Sequence, residues 1–206
     1  PTEIKDYLGN KDDIKNIKQW LLNLDKKKEK CLILYGSTGI GKTTLAHIIF
    51  KECGYDIIEI NASVQRSKKI LHEKLSRITK KNIIMISNNN YSKSGLLLDE
   101  IDGTCNNSEI SAIGEISKLI LNNKIKYPII CTCNSIKLKN IKLLLKYSIL
   151  INLEIPNKKN ILKLCKKIIK NEKIIISPTE LERLILNIND YRRLINNLFE
   201  IILMKI

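Results

Sequence analysis

One stretch constrains the fold of this chain more than any other, the glycine-punctuated loop GSTGIGKTT at residues 36–44. It follows the apolar run CLILY and precedes the apolar run LAHIIF, so it joins a predicted buried strand to a predicted helix. Gly36, Gly41, Lys42 and Thr43 match the pattern G-x-x-x-x-G-K-[ST] at every fixed position. Because the first N–H groups of a helix are unpaired and its N-terminal end is electropositive, this junction favours phosphate. The alternative is a simple turn of similar composition.

The loop predicts ATP and Mg²⁺ as ligands. Lys42 would reach the β- and γ-phosphates, and the Thr43 hydroxyl would join the Mg²⁺ shell. The other residues of the loop would surround the phosphates. The predicted nucleotide-binding residues are therefore Gly36, Ser37, Thr38, Gly39, Ile40, Gly41, Lys42, Thr43 and Thr44.

A second motif, LLLDEID at residues 96–102, supplies the carboxylates that such a site needs. Its apolar run predicts a buried strand that ends in Asp99 and Glu100, beside the phosphate loop. Asp99 suits the Mg²⁺ shell, and Glu100 suits orienting and deprotonating a water that attacks the γ-phosphate. Two acidic residues can end a strand by chance, but Asp102 and Gly103 follow in DEIDG. We interpret the motif as that of a hydrolase.

Strand and helix patterns alternate along the chain as far as residue 155. Five runs read as strands (CLILY, YDIIEI, LLLDEID, PIICTC and ILINLEI), and the run at 82–87 is ambiguous. Such alternation predicts an α/β fold, a five-stranded parallel sheet flanked by helices. After Pro156 only helical patterns remain, at 157–171, 178–187 and 190–204. The predicted domains are thus a nucleotide-binding domain at 1–155 and a small three-helix domain at 156–206.

The net charge of +15 invites a nucleic-acid partner. However, 31 of the basic residues are Lys and only 5 are Arg, beside 40 Ile and 22 Asn, which is the usage expected of an AT-rich genome. Charge alone therefore leaves a nucleic-acid partner open. The apolar runs are far shorter than the roughly 20 residues that a membrane helix needs, so no membrane partner is expected. The six Cys and two His lack metal-ligand spacing, which favours reduced intracellular thiols.

Several motifs together resemble a known family. GSTGIGKTT, EINASVQRSK, DEIDG, IICTCN and DYRRLINNL occur in the order and spacing of the clamp-loader ATPases, and the likeness is to the large subunits of replication factor C, members of the AAA+ family. The resemblance covers nearly the whole chain. It implies an AAA+ domain to about residue 155 and a three-helix lid after it, without the family's collar domain. Because the chain begins with Pro1, we expect it to be part of a longer polypeptide.

The resemblance also implies roles for individual residues. Asn134, after the strand IICTC, matches the sensor that contacts the γ-phosphate or the attacking water. Arg192 matches the lid arginine that senses the γ-phosphate, although Arg193 beside it leaves the register open. Asn61 would hold Glu100. Lys42, Glu100, Asn134 and Arg192 are thus the expected catalytic residues, and Thr43 and Asp99 the expected metal ligands.

The same resemblance extends to DNA and to neighbouring subunits. Arg66 matches an arginine that touches template-strand phosphate, and with Lys68 it sits at a predicted helix start, which suits phosphate. A solvated basic turn is the alternative. Val64 stands where the family usually has Asp. Small clamp-loader subunits carry a Ser-Arg-Cys motif whose arginine enters a neighbour's ATP site, whereas this chain has Tyr147 at the arginine position.

The resemblance implies an ATPase that works with small clamp-loader subunits to place a sliding clamp on primer–template DNA during replication. Its location would be the nucleus in a eukaryote, and otherwise the intracellular site of replication, or the viral factory of a virus. The alternatives are a large subunit of a checkpoint or cohesion clamp loader, another AAA+ machine such as a branch-migration motor or protein unfoldase, and a non-hydrolysing ATP-binding scaffold. Glu100 and Asn134 speak against the scaffold. NASVQRSK and DEIDG speak against the unfoldase.

Overall fold

The computed structural model describes residues 3–26, 29–61, 93–103, 117, 120, 127–137, 139–172, 176–186 and 190–203. Its strands are β1 (Cys31–Tyr35), β2 (Tyr55–Asn61), β3 (Lys93–Asp99), β4 (Ile129–Cys133) and β5 (Ser148–Asn152). Its helices are α1 (Lys11–Leu22), α2 (Lys42–Glu52), α3 (Lys139–Leu145), α4 (Lys158–Asn171), α5 (Pro178–Leu186) and α6 (Tyr191–Leu203).

All described strands pair in parallel in one five-stranded sheet with the order β2-β3-β4-β1-β5. This confirms the predicted fold. Strand β1 lies between β4 and β5, although both follow it by more than 90 residues in the chain. The carboxyl ends of the strands meet at one edge of the sheet. The loop after β1 and the acidic residues after β3 therefore lie at the same edge.

Among the described residues the observed elements match the predicted ones closely, with two clear differences. Strand β3 begins at Lys93, inside the stretch NNNYSKSG that reads as a loop by composition, and the last strand is shorter than predicted. The pattern ILINLEI predicts a strand to Ile155, but β5 ends at Asn152. Its neighbour β1 ends at Tyr35, which pairs with Asn152, and the chain then turns into the glycine loop. Beyond Leu153, whose N–H donates to the Tyr35 carbonyl at 2.8 Å, β1 offers no further strand to pair with.

Apolar side chains pack on both faces of the sheet. On one face, α1 and α2 cover β1 and the neighbouring strands, with Trp20, Leu45 and Phe50 buried among them. Gly95 in β3 makes room for this packing, because a Cβ there would lie 2.6 Å from the Phe50 ring. On the other face, Ile141 and Leu144 of α3 are buried in an apolar cluster that also contains residues of β1, β3 and β4. The sheet is thus a rigid support for the loops at its edge.

The three C-terminal helices form a separate apolar cluster of their own, with Ile161, Cys165, Leu181, Leu194 and Leu198 buried in it. Asn157 caps the N-terminus of α4, and its side chain accepts a hydrogen bond from the Lys159 N–H at 3.0 Å. Within the described part of the chain, no helix has the length and apolar character that crossing a bilayer requires.

Candidate active site

The loop between β1 and α2 depends on glycine at two close contacts. Gly36 has φ 144, and a Cβ there would lie 2.4 Å from the Leu153 carbonyl oxygen. Gly39 has φ 68, and a Cβ there would lie 1.9 Å from a carboxylate oxygen of Asp190. The Gly39 carbonyl also accepts a hydrogen bond from the Tyr191 N–H at 3.1 Å. The loop is therefore packed against the start of α6.

The Gly39→Ala variant should bind ATP about tenfold more weakly or worse, the loss that about 1.4 kcal/mol of displaced contacts produces. The added methyl group must push the loop and α6 apart. Gly54→Ala is the matched control, because Gly54 also has positive φ (74) but has no atom within 4 Å of the added Cβ. Both variants carry the left-handed backbone cost of about 1–2 kcal/mol in stability. Equal ATP affinities in the two variants would contradict this account of the loop.

Lys42 is the first residue of α2 and is only 9% exposed. Its Nζ donates hydrogen bonds to the carbonyls of Gly36 and Ser37 and to Asn134 Oδ1, each at 2.8 Å. Burial lowers the pKa of the Lys42 ammonium, while the nearby carboxylates, Asp102 foremost, oppose that shift. These partners hold the ammonium at the mouth of the loop. A phosphate oxygen would offer it a charged acceptor in their place.

Asp99 and Thr43 form the candidate Mg²⁺ ligands. Asp99 ends β3 and is 7% exposed, and its Oδ1 accepts the Thr43 hydroxyl hydrogen at 2.7 Å. The described residues contain no group of three or more His, Cys, Asp and Glu side chains placed to hold a metal. Two oxygen ligands fit Mg²⁺, which is usually bound by one or two carboxylates together with substrate phosphates and waters. The donor set therefore suits a metal that arrives with a nucleotide.

Glu100 follows Asp99 directly and is exposed at the edge of the sheet. Its φ is 54, and it is the one non-glycine residue with positive φ in the described ranges. Its N–H donates to the Thr132 hydroxyl at 3.0 Å, and that hydroxyl donates to Asp99 Oδ1 at 2.5 Å. Thr132 is a buried residue of β4 that sequence reasoning did not assign to the site. The sequence feature that could have identified Thr132 is its hydroxyl, which stands alone in the apolar run IICTC.

Asn134 follows β4 and meets both Lys42 and the acidic loop. Its Oδ1 accepts from the Lys42 ammonium, and its backbone N–H donates to Asp102 Oδ2 at 2.7 Å. Asp102 thus belongs to the site as well, although the sequence suggested it only as support for the DEIDG motif. The contact ties the turn after β3 to the end of β4.

One small cavity of about 90 Å³ lies among the predicted catalytic residues. Arg192, in the first turn of α6, lines this cavity, whereas Arg193 is not among its lining residues. Placement in the structure therefore favours Arg192 as the arginine that faces the site. The lining residues brought together here include Thr38, Lys42, Thr43, Glu100, Asn134 and Arg192.

A larger cavity of about 500 Å³ also adjoins the loop. It lies between the N-terminal segment, the loop, and helices α4 and α6, and an ion pair between Lys167 and Asp6 at 2.9 Å spans two of these parts. Its lining was not predicted, because the residues come from distant segments that share no motif. They include Tyr7, Ile40, Pro156, Ile168, Tyr191 and Ile195. The volume falls in the range typical of small-molecule sites.

The other predicted residues either line neither cavity or lie outside the described residues. Asn61 ends β2 and pairs in register with Asp99. Tyr147 is half-buried and packs against the apolar cluster that α3 covers. Arg66 and Lys68, predicted to bind DNA, lie outside the described residues, as do Val64, the ambiguous run at 82–87 and the predicted helix that contains Arg66.

Comparison with known proteins places this site in a family. A model of the AAA family, the ATPase family associated with various cellular activities, matches residues 32–157. Replication factor C subunit 1 of Drosophila melanogaster is 30% identical over 96% of this chain and 23% of its own length. The Replication factor C large subunit of Nanoarchaeum equitans is 31% identical over 84% of this chain and 39% of its own length. The chain thus spans well under half of these relatives.

Solved structures agree on the fold. The replication initiator DnaA bound to AMPPCP and single-stranded DNA matches the whole chain (100%) and 65% of its own length, with a TM-score of 0.63 and 22% identity. The RuvB Holliday junction branch migration motor of Thermotoga maritima matches 86% of this chain and 56% of its own length, with a TM-score of 0.58 and 18% identity. At these identities the likeness concerns the fold alone.

Proposed function

The chain belongs to the AAA family of ATPases, and from this premise we propose that it is the ATP-binding and ATP-hydrolysing core of a clamp-loader large subunit. It would work with small clamp-loader subunits to load a sliding clamp onto primer–template DNA in replication. The similarity to replication factor C subunits over 96% of the chain supports this choice over a branch-migration motor, whose likeness is one of fold. A large subunit of a checkpoint or cohesion clamp loader is the alternative.

One observation carries the proposal of ATP hydrolysis. A phosphate-binding lysine, a candidate water-activating carboxylate and a polar amide surround one small cavity, namely Lys42, Glu100 and Asn134. A site that only binds nucleotide does not need a carboxylate at the Glu100 position. The grouping therefore favours a hydrolase over a scaffold.

Each residue takes a role that its position allows. Lys42 and the N–H groups at the start of α2 would hold the β- and γ-phosphates. Glu100, exposed at the cavity, would orient the attacking water and accept its proton. Asn134 and Arg192 would contact the γ-phosphate or the water. Mg²⁺, held by Thr43 and Asp99, would neutralise charge on the phosphate oxygens.

The larger cavity is the proposed site of the adenine base. It adjoins Gly39, Ile40 and Gly41 of the loop, so a nucleotide with its phosphates on the loop can place its base there. Tyr7 and Tyr191 offer aromatic surface to the base. Because α4 and α6 also line this cavity, the bound base would connect the C-terminal helices to the N-terminal segment. Helices α4 to α6 are accordingly proposed to be the lid of an AAA+ module that divides near Pro156.

Arg66 and Lys68 remain the proposed DNA contacts. If Arg66 contacts phosphate, Arg66→Ala in the assembled complex should weaken binding about equally for all DNA sequences. The slope of log affinity against log salt should fall by about one unit, because one fewer counterion is released. Arg183→Ala is a suitable control, since Arg183 is an exposed arginine of α5 outside the proposed contact. Equal affinities and slopes in the two variants would place the DNA contact elsewhere.

The proposal is tested by purifying the full-length protein from its source. Small clamp-loader subunits and a sliding clamp should co-purify with it. The protein should be found in the nucleus of a eukaryote, or otherwise at the site of replication. Co-purification with a different set of AAA+ partners would overturn the clamp-loader assignment and leave the ATPase assignment standing.

A further inference from the structure

Thr132 is a buried polar residue of the site, beside Asp99 and Glu100. It lies in β4 with 1% of its surface exposed, among apolar neighbours. Its hydroxyl accepts a hydrogen bond from the Glu100 N–H at 3.0 Å and donates one to Asp99 Oδ1 at 2.5 Å. The directions are fixed, because a backbone N–H can only donate and an ionised carboxylate can only accept. One hydroxyl therefore connects both acidic residues of the site.

The bond to Glu100 falls where the backbone is strained. A φ of 54 is a left-handed conformation that a residue with a side chain rarely adopts. Such conformations persist where the surrounding structure holds them. Here the N–H of the strained residue is fixed by a side chain from the neighbouring strand. Thr132 thus supports the turn that directs the Glu100 side chain toward the cavity.

The bond to Asp99 extends this connection to the phosphate loop. Asp99 Oδ1 accepts both the Thr132 hydroxyl hydrogen and the Thr43 hydroxyl hydrogen. A continuous path of hydrogen bonds therefore runs from α2 through the end of β3 into β4 and back to Glu100. A group that hydrogen-bonds to a metal-binding carboxylate fixes the orientation of that carboxylate toward the metal.

We propose that Thr132 is a positioning residue for both acidic groups, holding the Asp99 carboxylate for the metal and the Glu100 backbone for water activation. This inference rests on the proposed ATPase function of the site. It assigns to β4 a task separate from that of Asn134 at its end. Thr132 lines the small cavity, and the role proposed for it acts through these two acidic residues.

The hydroxyl can be removed with little change of shape. In Thr132→Val the Glu100 N–H and the Asp99 carboxylate lose their common partner, whereas Thr132→Ser keeps it. Ile130→Val is the matched structural control. Ile130 lies two residues earlier on the same face of β4 and is fully buried, but its side chain has no atom that could hydrogen-bond to the acidic pair. If the valine variant does not fold, Thr132→Ala against Thr132→Ser isolates the same hydroxyl.

The first readout is ATP binding by the purified chain, measured with a fluorescent ATP analogue in EDTA and across a Mg²⁺ titration. We expect Thr132→Val to bind in EDTA as the unaltered chain does, since Lys42 and the loop are intact. The Mg²⁺ concentration that produces half of the change in ATP binding should rise by about tenfold or more, the usual range for loss of a group that orients a metal ligand. Thr132→Ser and Ile130→Val should retain the original Mg²⁺ dependence.

The second readout is single-turnover hydrolysis in the complex with partner subunits, where Thr132→Val should be slower by about tenfold or more at saturating Mg²⁺. Unchanged Mg²⁺ dependence and rate in Thr132→Val, or a serine variant as impaired as the valine variant, would overturn the inference. So would an equal loss in Ile130→Val. If the unaltered chain itself fails to bind ATP, the proposed function fails instead, and the two failures are distinct.

Discussion

The Glu100→Gln variant should bind ATP as tightly as the unaltered chain and hydrolyse it about 10² to 10⁴ times more slowly, the usual contribution of a general base. Glutamine keeps the shape of the side chain but cannot accept the proton of the attacking water. The hydrogen bond from the backbone N–H of residue 100 to the Thr132 hydroxyl does not involve the altered side chain, so the φ of 54 persists in the variant. The measurement is single-turnover phosphate release in the assembled complex. Normal release by this variant would contradict the assignment of Glu100.

Lys42→Ala provides the contrasting result, because the proposed role of Lys42 is to bind phosphate whereas that of Glu100 is to activate the attacking water. It should lose ATP affinity, since the ammonium held between the loop carbonyls and Asn134 is the one charged donor in that contact network. Lys51→Ala is the matched control, as Lys51 is exposed at the far end of the same helix, α2. Titration of a fluorescent ATP analogue separates the variants. Tight binding by Lys42→Ala would show that the phosphates lie elsewhere.

The second large effect concerns a neighbouring subunit. We expect the isolated chain to bind ATP but to turn it over near the background rate. Adding a small subunit that donates an arginine should raise the rate by about 10³ to 10⁵, because the arginine neutralises charge that develops on the transferred phosphoryl group. Single-turnover hydrolysis with and without the partner measures this effect.

Two controls identify the source of that arginine. Changing the partner's donated arginine to alanine should return the rate to background. Under the proposed clamp-loader function, Tyr147 takes the position at which a small subunit carries its donated arginine, and it packs against the chain's own apolar cluster. Tyr147→Phe should therefore leave every neighbour's hydrolysis unchanged. Fast hydrolysis by the isolated chain, or indifference to the partner's arginine, would contradict this account of the subunit interface.

Residues in local motifs were the predictable part of the site. The loop at 36–44 predicted the strand before it and the helix after it, because glycines, a lysine and a hydroxyl at set spacing bind one kind of ligand. Asp99 and Glu100 followed from the rule that parallel strands end at one edge of a sheet, and Asn134 followed from the resemblance to the clamp-loader ATPases. The five strands were found from their apolar runs.

Contacts between distant segments could not be predicted in this way. The 500 Å³ cavity needs Tyr7, Pro156, Ile168 and Tyr191 together, and no spacing links them. The Thr132 hydroxyl belongs to a strand identified only by its apolar neighbours. The end of β5 depends on where β1 turns away, a property of the neighbour and not of ILINLEI itself. The Thr132 contacts and the end of β5 depend on the order of strands in the folded sheet.

The most direct test of the central claim is clamp loading by the complex that contains the full-length protein. The measurement is the amount of labelled sliding clamp held on primer–template DNA, with and without ATP. We expect loading to require both ATP and this protein, and to be lost when Lys42→Ala replaces the unaltered protein. Equal loading without ATP, or with this protein omitted, would contradict the account.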